Sequence, residues 1–295
     1  MRGQRGLAVV TALLIVAVAA SAAALMLSQQ SAMLDQVSMV ATRAQADAYA
    51  LAGIDWARGV LAEDKQRSPD VDSLGEGWAQ PIAALPVERA VISGVIVDEQ
   101  GKFNLNNLAT ANDLDKRVFR TLLTSLGLST ELADAVKDWV DAVEGPDSAY
   151  YLALARPYRA ANAPMVQVDE LYRVRGFDAT AVAKLRPYVT ALPEHTPINV
   201  NTAPDAVLAA IVGDAPDILA RVRAQRVKQP FRNAQDFAAL APTLPAAQVG
   251  FLGVKSDYFG VSVQVAQDDV RLASDALVKR PLNGPPVIIW RRPRY

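Results

Sequence analysis

Residues 7–34 read Leu7-Ala8-Val9-Val10-Thr11-Ala12-Leu13-Leu14-Ile15-Val16-Ala17-Val18-Ala19-Ala20-Ser21-Ala22-Ala23-Ala24-Leu25-Met26-Leu27-Ser28-Gln29-Gln30-Ser31-Ala32-Met33-Leu34, and no charged side chain appears until Asp35. About 20 apolar residues carry a helix across the hydrocarbon core of a bilayer, so the run is long enough to span it with turns to spare. Before it stand only Met1-Arg2-Gly3-Gln4-Arg5-Gly6. The two arginines on that short flank predict a cytoplasmic N-terminus and place the bulk of the chain on the other side.

The helical pattern does not stop at membrane length. Met33, Val37, Val40, Ala44 and Ala48 keep helical spacing, and Tyr49, Leu51, Ile54 and Trp56 follow. Asp35, Gln36, Arg43, Gln45 and Asp47 fill the other positions, which is the pattern of an amphipathic helix. One helix over 7–62 is expected, with about 7–27 in the membrane. Two processing routes fit the residues. A secretory signal peptide would be cut after the small residues near Ala22 to Ala24 and leave a soluble protein. A cut after Gly6, ahead of the apolar run, would keep the helix. A plain single-pass anchor with a stalk fits the local pattern too.

Composition narrows the chemistry. The 295 residues carry a net charge of −1 and are 51% hydrophobic and 21% charged, ordinary values for a folded protein. A basic excess, the footprint of a phosphate-binding protein, is absent overall. There is no cysteine, which excludes disulfides, thiolate metal sites and cysteine nucleophiles. The one histidine, His195, stands in Leu192-Pro193-Glu194-His195-Thr196-Pro197 with no nucleophile pattern near it, and reads as an exposed linker residue. No enzymatic activity is expected.

Past the helix, Glu63 to Asp70 and Gly75-Glu76-Gly77 read as linker. Ala90 to Val97 is rich in β-branched residues and predicts a strand. After the turn Asp98-Glu99-Gln100-Gly101, the alternation in Lys102 to Asn106 predicts the second strand of a hairpin. From about Asp113 helical spacing takes over: Val118, Leu122, Leu123 and Leu126, then Leu132, Val136, Trp139 and Val140, with Gly127 as a C-cap between them. Further short helices are expected from Asp169, over Thr180 to Leu185, from Asp205 (capped by Thr202-Ala203-Pro204) to Ile211, over Asp217 to Val227 and over Asn233 to Leu240. Alternation returns at Tyr258 to Val265, with further strands at Arg271 to Val278 and Val287 to Trp290. Strands flanking a helical block point to an α+β body with a helical insertion.

Several segments, taken in order, resemble a known family, protein K of the type II secretion system, a minor pseudopilin. They are Arg5-Gly6 before the apolar run, Gly101-Lys102-Phe103-Asn104-Leu105-Asn106-Asn107-Leu108, Asp138-Trp139-Val140-Asp141, Tyr158 to Pro164, Asp169-Glu170-Leu171 and Ile198-Asn199-Val200-Asn201-Thr202-Ala203. The resemblance covers essentially the whole chain. It implies an α+β fold with a pilin-like long N-terminal helix plus an antiparallel sheet and a large inserted all-helical domain. The implied division is a prepilin leader at 1–6, the helix at 7–62, a pseudopilin body at 63–109 and 251–295, and the insertion at 110–250 in two parts, 110–195 and 196–250. A prepilin peptidase would cut between Gly6 and Leu7 and methylate Leu7. Thr11 stands where most pilins carry a glutamate, a residue costly in a membrane unless paired; the family is known for that replacement, which implies a place at the pseudopilus tip. Implied partners are the other minor pseudopilins, the major pseudopilin, the prepilin peptidase and the inner membrane. The bulk of the chain would be periplasmic.

Two more features follow from the resemblance. Asp141, Glu144 and Asp147 lie in a loop that binds calcium in some relatives, and clustered carboxylates suit that hard cation; here the loop is short and Val143 stands where another acid is expected. Asn199 to Ala203 is also similar to helix-hairpin-helix proteins that bind DNA. Those use a Gly-x-Gly hairpin, whereas this chain has Val212-Gly213-Asp214-Ala215-Pro216, with an acid and a residue lacking an N–H. The following Arg221, Arg223, Arg226 and Lys228 read as a solvated helix face, Asn199 and Asn201 as caps, and Trp139, Tyr150 and Tyr151 as packing residues. No nucleic acid is expected, with an exported DNA-uptake module as the alternative.

Overall fold

The computed structural model describes residues 3–110, 113–213, 215–242, 244 and 246–294, with backbone alone at 3–8 and 246–248. The apolar run lies inside α1 (Gly3–Arg67), one unbroken helix. It is longer at its C-terminal end than expected, because Glu63 to Arg67 form its last turn rather than a linker. Arg67 pairs with Glu63 one turn back at 2.5 Å, and Lys65 Nζ donates to the Leu282 carbonyl at 2.6 Å. Basic side chains suit a helix C-terminus, and Pro69 prevents further extension.

In chain order there follow β1 (Ile82–Val87), β2 (Ala90–Asp98), β3 (Phe103–Asn104), α2 (Asp113–Ser125), α3 (Leu132–Val140), α4 (Ser148–Leu152), α5 (Ala179–Leu185), β4 (Val189–Thr190), β5 (Ile198–Asn199), α6 (Asp205–Val212), α7 (Pro216–Lys228), α8 (Ala234–Leu240), β6 (Leu252–Gly253), β7 (Tyr258–Gln267), β8 (Val270–Lys279) and β9 (Val287–Arg294). The main sheet has the order β1-β2-β7-β8-β9, and every pairing in it is antiparallel. β2 and β7 pair along their length, from Ala90 opposite Gln267 to Asp98 opposite Phe259. They are adjacent strands of a hairpin whose turn has been replaced by residues 99–257. The helical block therefore leaves and re-enters the sheet at one end of two adjacent inner strands.

One expected hairpin is corrected. Lys102 to Asn106 does not pair back on β2. Only Phe103 and Asn104 are extended, and they pair in parallel with Val189 and Thr190 of β4. The intervening Glu99–Gly101 is a 3-10 turn, closed by the Asp98 carboxylate accepting the Gln100 N–H at 2.8 Å. The hairpin partner of β2 is β1, whose sequence Ile-Ala-Ala-Leu-Pro-Val carries little strand signal. Its two-residue turn puts Glu88 at a φ of 51°, as tight hairpin turns require.

α1 lies across one face of the sheet. Ala46, Ala50, Ile54, Ala57 and Leu61 recur at steps of four and three and bury themselves against Ile96, Phe259, Val261, Val263, Val265, Leu272, Ala276 and Val278. Small residues permit the close approach: a Cβ on Gly53 would lie 2.9 Å from Val263 Cγ1. The helical block has its own core, one cluster that reaches from Phe103 through Val118, Leu122, Val207, Leu208, Val222 and Phe237 to Leu252. Phe103 and Phe119 stack within it at 5.1 Å, and Trp139 meets Tyr151 edge-on at 5.4 Å.

Candidate functional site

Because α1 contributes only its C-terminal part to the core, the rest is available for assembly. Residues 9–41 are exposed along their whole length, about 50 Å of helix at 1.5 Å per residue. Within them lies the apolar segment long enough to cross a membrane. The stem beyond it has three apolar rows. The first is the buried row against the sheet. The second is Met33, Val37, Val40, Ala44, Ala48 and Leu51, all exposed, with Met33 at 68% and Val37 at 57%. The third is Tyr49, Ala52, Gly53, Trp56 and Val60, which forms one wall of an apolar groove. At 3.6 residues per turn the rows stand roughly a third of a turn apart. The sequence pattern singled out the second row as the amphipathic face; the body instead packs on the first.

Gly6 and Leu7 fall in the helical backbone of α1, and their side chains lie outside the described residues. Thr11 is exposed on the same helix.

The joint between body and helical block is a buried polar network that sequence reasoning missed. Asp98, at the end of β2, accepts from Ser256 Oγ at 2.6 Å, Thr202 Oγ1 at 2.6 Å and Asn199 Nδ2 at 3.0 Å. Arg280, at the end of β8, donates to Asp72 Oδ2 at 2.6 Å and to Asp64 Oδ2 at 3.0 Å. Asp64, Asp72 and Glu76 bring their carboxylate oxygens within 4.8 Å of one another; a guanidinium already supplies the positive charge there. Burial, and then the neighbouring Glu76, push the Asp64 carboxyl up to about 6. At Asp98 burial, with the nearby Asp72 charge adding to it, outweighs the hydroxyl donors and raises the carboxyl to about 6.

The asparagines of the two family-like motifs are hubs as well as local caps, Asn104 accepting the Asn106 N–H at 3.2 Å. Asn106 gives its amide to the carbonyls of Met165 and Leu192 at 2.9 and 2.8 Å and accepts the Met165 N–H at 2.8 Å. Asn107 spans to Thr196 through both its amide and its carbonyl. Asn201 clamps Phe231 the same way, at 2.9 and 2.8 Å. Asn199 does accept the Asn201 N–H at 3.0 Å, so it closes a local turn as expected, but its amide is spent on the joint. Thr202 likewise serves Asp98, and the N-cap of α6 is Pro204. A short amide with two donors and an acceptor can replace a strip of ladder, which explains asparagine at these positions.

The candidate cation loop does not gather its acids. Asp141 accepts the N–H of Val143 at 3.0 Å, Glu144 is exposed, and Asp147 pairs with Arg175. Among the described residues these three do not come within ligating distance of one another as Asp64, Asp72 and Glu76 do. Arg175, which also lies over the Tyr150 ring at 5.2 Å, is the cation that Asp147 meets in this structure.

The helix-hairpin-helix-like segment forms α6, a short turn and α7. Gly213 ends α6 in the left-handed conformation at a φ of 78°, and Pro216 opens α7; Asp214 lies outside the described residues. The basic run keeps the solvated face expected of it, with Arg221, Arg223 and Lys228 exposed. Arg221 pairs with Asp217 and Arg223 with Asp205, while Arg226 donates to the Ala203 carbonyl at 2.9 Å. His195 is exposed, as expected, with Nε2 3.4 Å from Asp115 Oδ2.

Comparison with known proteins decides what this architecture is. Two models described as type II secretion system protein K match residues 101–194 and 198–262. The type II secretion system protein K of Pseudomonas aeruginosa is 34% identical over 96% of this chain and 91% of its own length. That of Aeromonas hydrophila is 30% identical over 98% and 97%. The chain belongs to the type II secretion system protein K family. The fold agrees: a chain in the crystal structure of the GspK-GspI-GspJ complex from enterotoxigenic Escherichia coli matches with a TM-score of 0.74 and 23% identity, over 86% of this chain and 97% of that one. Within the protein K family match, the first model opens at Gly101 and the second at Ile198, so each begins on an asparagine-hub motif.

Proposed function

We propose that the chain is a minor pseudopilin that sits at the tip of the periplasmic pseudopilus and helps to start it, in the export of folded proteins across the outer membrane. The observation that carries this is the continuity of α1. One rigid helix links a membrane-length apolar segment to the core of a globular body, so a force on the body moves the helix and the reverse. A prepilin peptidase cuts between Gly6 and Leu7 and methylates Leu7, which keeps the helix in the inner membrane with the body in the periplasm. Thr11 replaces an acid that a tip subunit, with no axial neighbour above it, would leave unpaired in a low-dielectric setting. The second apolar row of the stem packs against the helices of the other minor pseudopilins and of the major pseudopilin. The helical block crowns the tip and blocks addition of a further subunit.

The protein acts by assembly rather than by catalysis. The DNA-uptake alternative finds no support, because Asp217 and Asp205 stand beside Arg221 and Arg223, and Arg226 donates to a backbone carbonyl. Deleting the gene should leave folded exoproteins trapped in the periplasm, and the full chain supplied in trans should restore their release. Unimpaired secretion in the deletion strain would contradict the proposal.

A further inference from the structure

On the sheet face that α1 does not cover, sheet and helical block enclose a cleft of 320 Å³, at the small end of the range of about 300–1,000 Å³ in which ligand sites fall. The inner strands lend it Val97, Ser262 and Leu277, which alternate with residues packed on α1. Edge strand β9 lends Trp290, Arg292 and Arg294. Arg186, from the helical block, lies among them. The side chains of Arg186, Arg292 and Arg294 are 46%, 43% and 54% exposed, so the cleft is reached from solvent past their guanidinium groups.

Two arginines of β9 are used differently. Asp275 meets Arg294 side-on, with Oδ2 2.9 Å from Nε and Oδ1 3.1 Å from Nη2. On Arg292 the hydrogen bonds among the described residues all leave from Nη1, at 2.7 Å to Gln167 Oε1 and 2.9 Å to Asp169 Oδ2. Its Nε–H has no acceptor among the described residues. The edge that a carboxylate fills on Arg294 is therefore unfilled on Arg292. Trp290, two residues away on the same face of β9, also has an N–H without an acceptor, and covered donors of this kind are costly to leave unmade.

The charges of the lining select the ligand. Asp169 is shared between two cations, Oδ1 on Arg186 and Oδ2 on Arg292, and Lys102 pairs with Glu99 at 2.7 Å. Four cations, Lys102, Arg186, Arg292 and Arg294, thus face three acids, Glu99, Asp169 and Asp275. One positive charge is left over, which a monoanion balances and a divalent phosphate overshoots. Among monoanions, the planar fork of Nε and Nη2 matches a carboxylate.

We propose that the cleft binds a polypeptide carboxylate, an acidic side chain or a free C-terminus, seated side-on against Nε and Nη2 of Arg292. Val97 and Val166, 38% and 61% exposed, line the same cleft and offer apolar contact to the residues beside that acid. The site goes beyond the pseudopilin reading and does not depend on it. Partners that pack along α1 lie on the other side of the sheet and leave the cleft open.

The test is fluorescence anisotropy of N-terminally labelled peptides with the full chain in detergent, read against protein-free detergent. Ala-Val-Glu-Val-Ala with an amidated end carries its acid in a side chain. Ala-Val-Gln-Val-Ala with a free end carries it at the C-terminus, and the same peptide amidated carries none. At least one acidic peptide should bind about tenfold or more tightly than the neutral one, the equivalent of 1.4 kcal/mol, and which of them does so identifies the source of the carboxylate. Arg292→Lys, which keeps the charge and loses the fork, should bind that peptide about tenfold more weakly. Arg156→Lys, at an exposed arginine of the helical block, should bind it as the wild type does. Equal binding of all three peptides, or binding of none, would overturn the proposal, and so would wild-type affinity in Arg292→Lys. The peptide comparison uses the wild-type chain and so decides the matter even where a substitution disturbs folding. Failure here leaves the pseudopilin reading intact, since that reading is tested by secretion.

Discussion

Arg280 and Asp72 form a buried ion pair at the point where sheet, stem and helical block meet: Nη2 lies 2.6 Å from Oδ2, and the two side chains are 6% and 1% exposed. The same guanidinium reaches Asp64 on α1 and the Ser256 carbonyl at 2.8 Å, and stacks over the Phe259 ring at 4.7 Å. Removing one partner of such a pair strands the other in a dry site. Arg280→Met should therefore destabilise the protein by about 3–5 kcal/mol. Denaturant unfolding of the full chain in detergent checks this; a loss below 1 kcal/mol would show that the pair is dispensable.

The joint also sets a pH dependence. Asp64 and Asp98 sit at about 6 in the folded protein, above the ordinary carboxylate value near 4. A raised folded value means that the native state holds its protons more tightly than the unfolded chain. Their contribution is full below about pH 4 and is lost as pH rises through 6. Asp169, held down by Arg186, and Glu194, held down by Lys279, act in the opposite sense; their contribution is lost as pH falls through their lowered values. Stability should peak between about pH 4 and 6 and decline toward 7. Melting temperatures across that range should show the decline, and Asp98→Asn should flatten it. A melting temperature that rises from pH 5 to 7 would contradict the assignment.

Asn106 is the most heavily used of the hubs. Asn106→Leu would leave the Met165 N–H, the Met165 carbonyl and the Leu192 carbonyl without their partners in the core. Each stranded group costs about 1–3 kcal/mol, so the variant should unfold at markedly lower denaturant than the wild type. Asn106→Asp, which keeps the acceptor but sets a buried carboxylate oxygen against those two carbonyls, should be no more stable than Asn106→Leu. Equal midpoints for wild type and Asn106→Leu would argue against the hub.

Much of this architecture was legible from the residues. The apolar run, its amphipathic continuation, the helical spacing of the middle block and the alternation of β7 and β8 all leave periodic signals. Gly127 is the left-handed residue after α2, at a φ of 67°, as its place between two apolar rows suggested. What escaped notice lacks a local signal. β1 is a half-exposed edge strand with a proline, and Lys102 to Asn106 alternates for a different reason: its asparagines turn inward to partners dozens of residues away. The pairing of Arg280 with Asp72 and Asp64 bridges more than 200 residues, which no spacing rule reaches. The stem's faces were half legible, since periodicity reveals apolar rows but not which of them the body uses.

At the 141–147 loop, Arg175 supplies to Asp147 the positive charge that calcium would bring. Adding calcium or EDTA should leave the melting temperature of the full chain unchanged, whereas Arg175→Gln should lower it. A calcium-dependent rise in the wild type would overturn this account of the loop.

Retention of α1, which joins membrane to body, is read out by mass spectrometry of the N-terminus of the mature protein from membranes. The expected chain begins at Leu7 and carries one N-methyl group. A mature chain that begins near Ala23 or later would mean that the helix is discarded, and would contradict it.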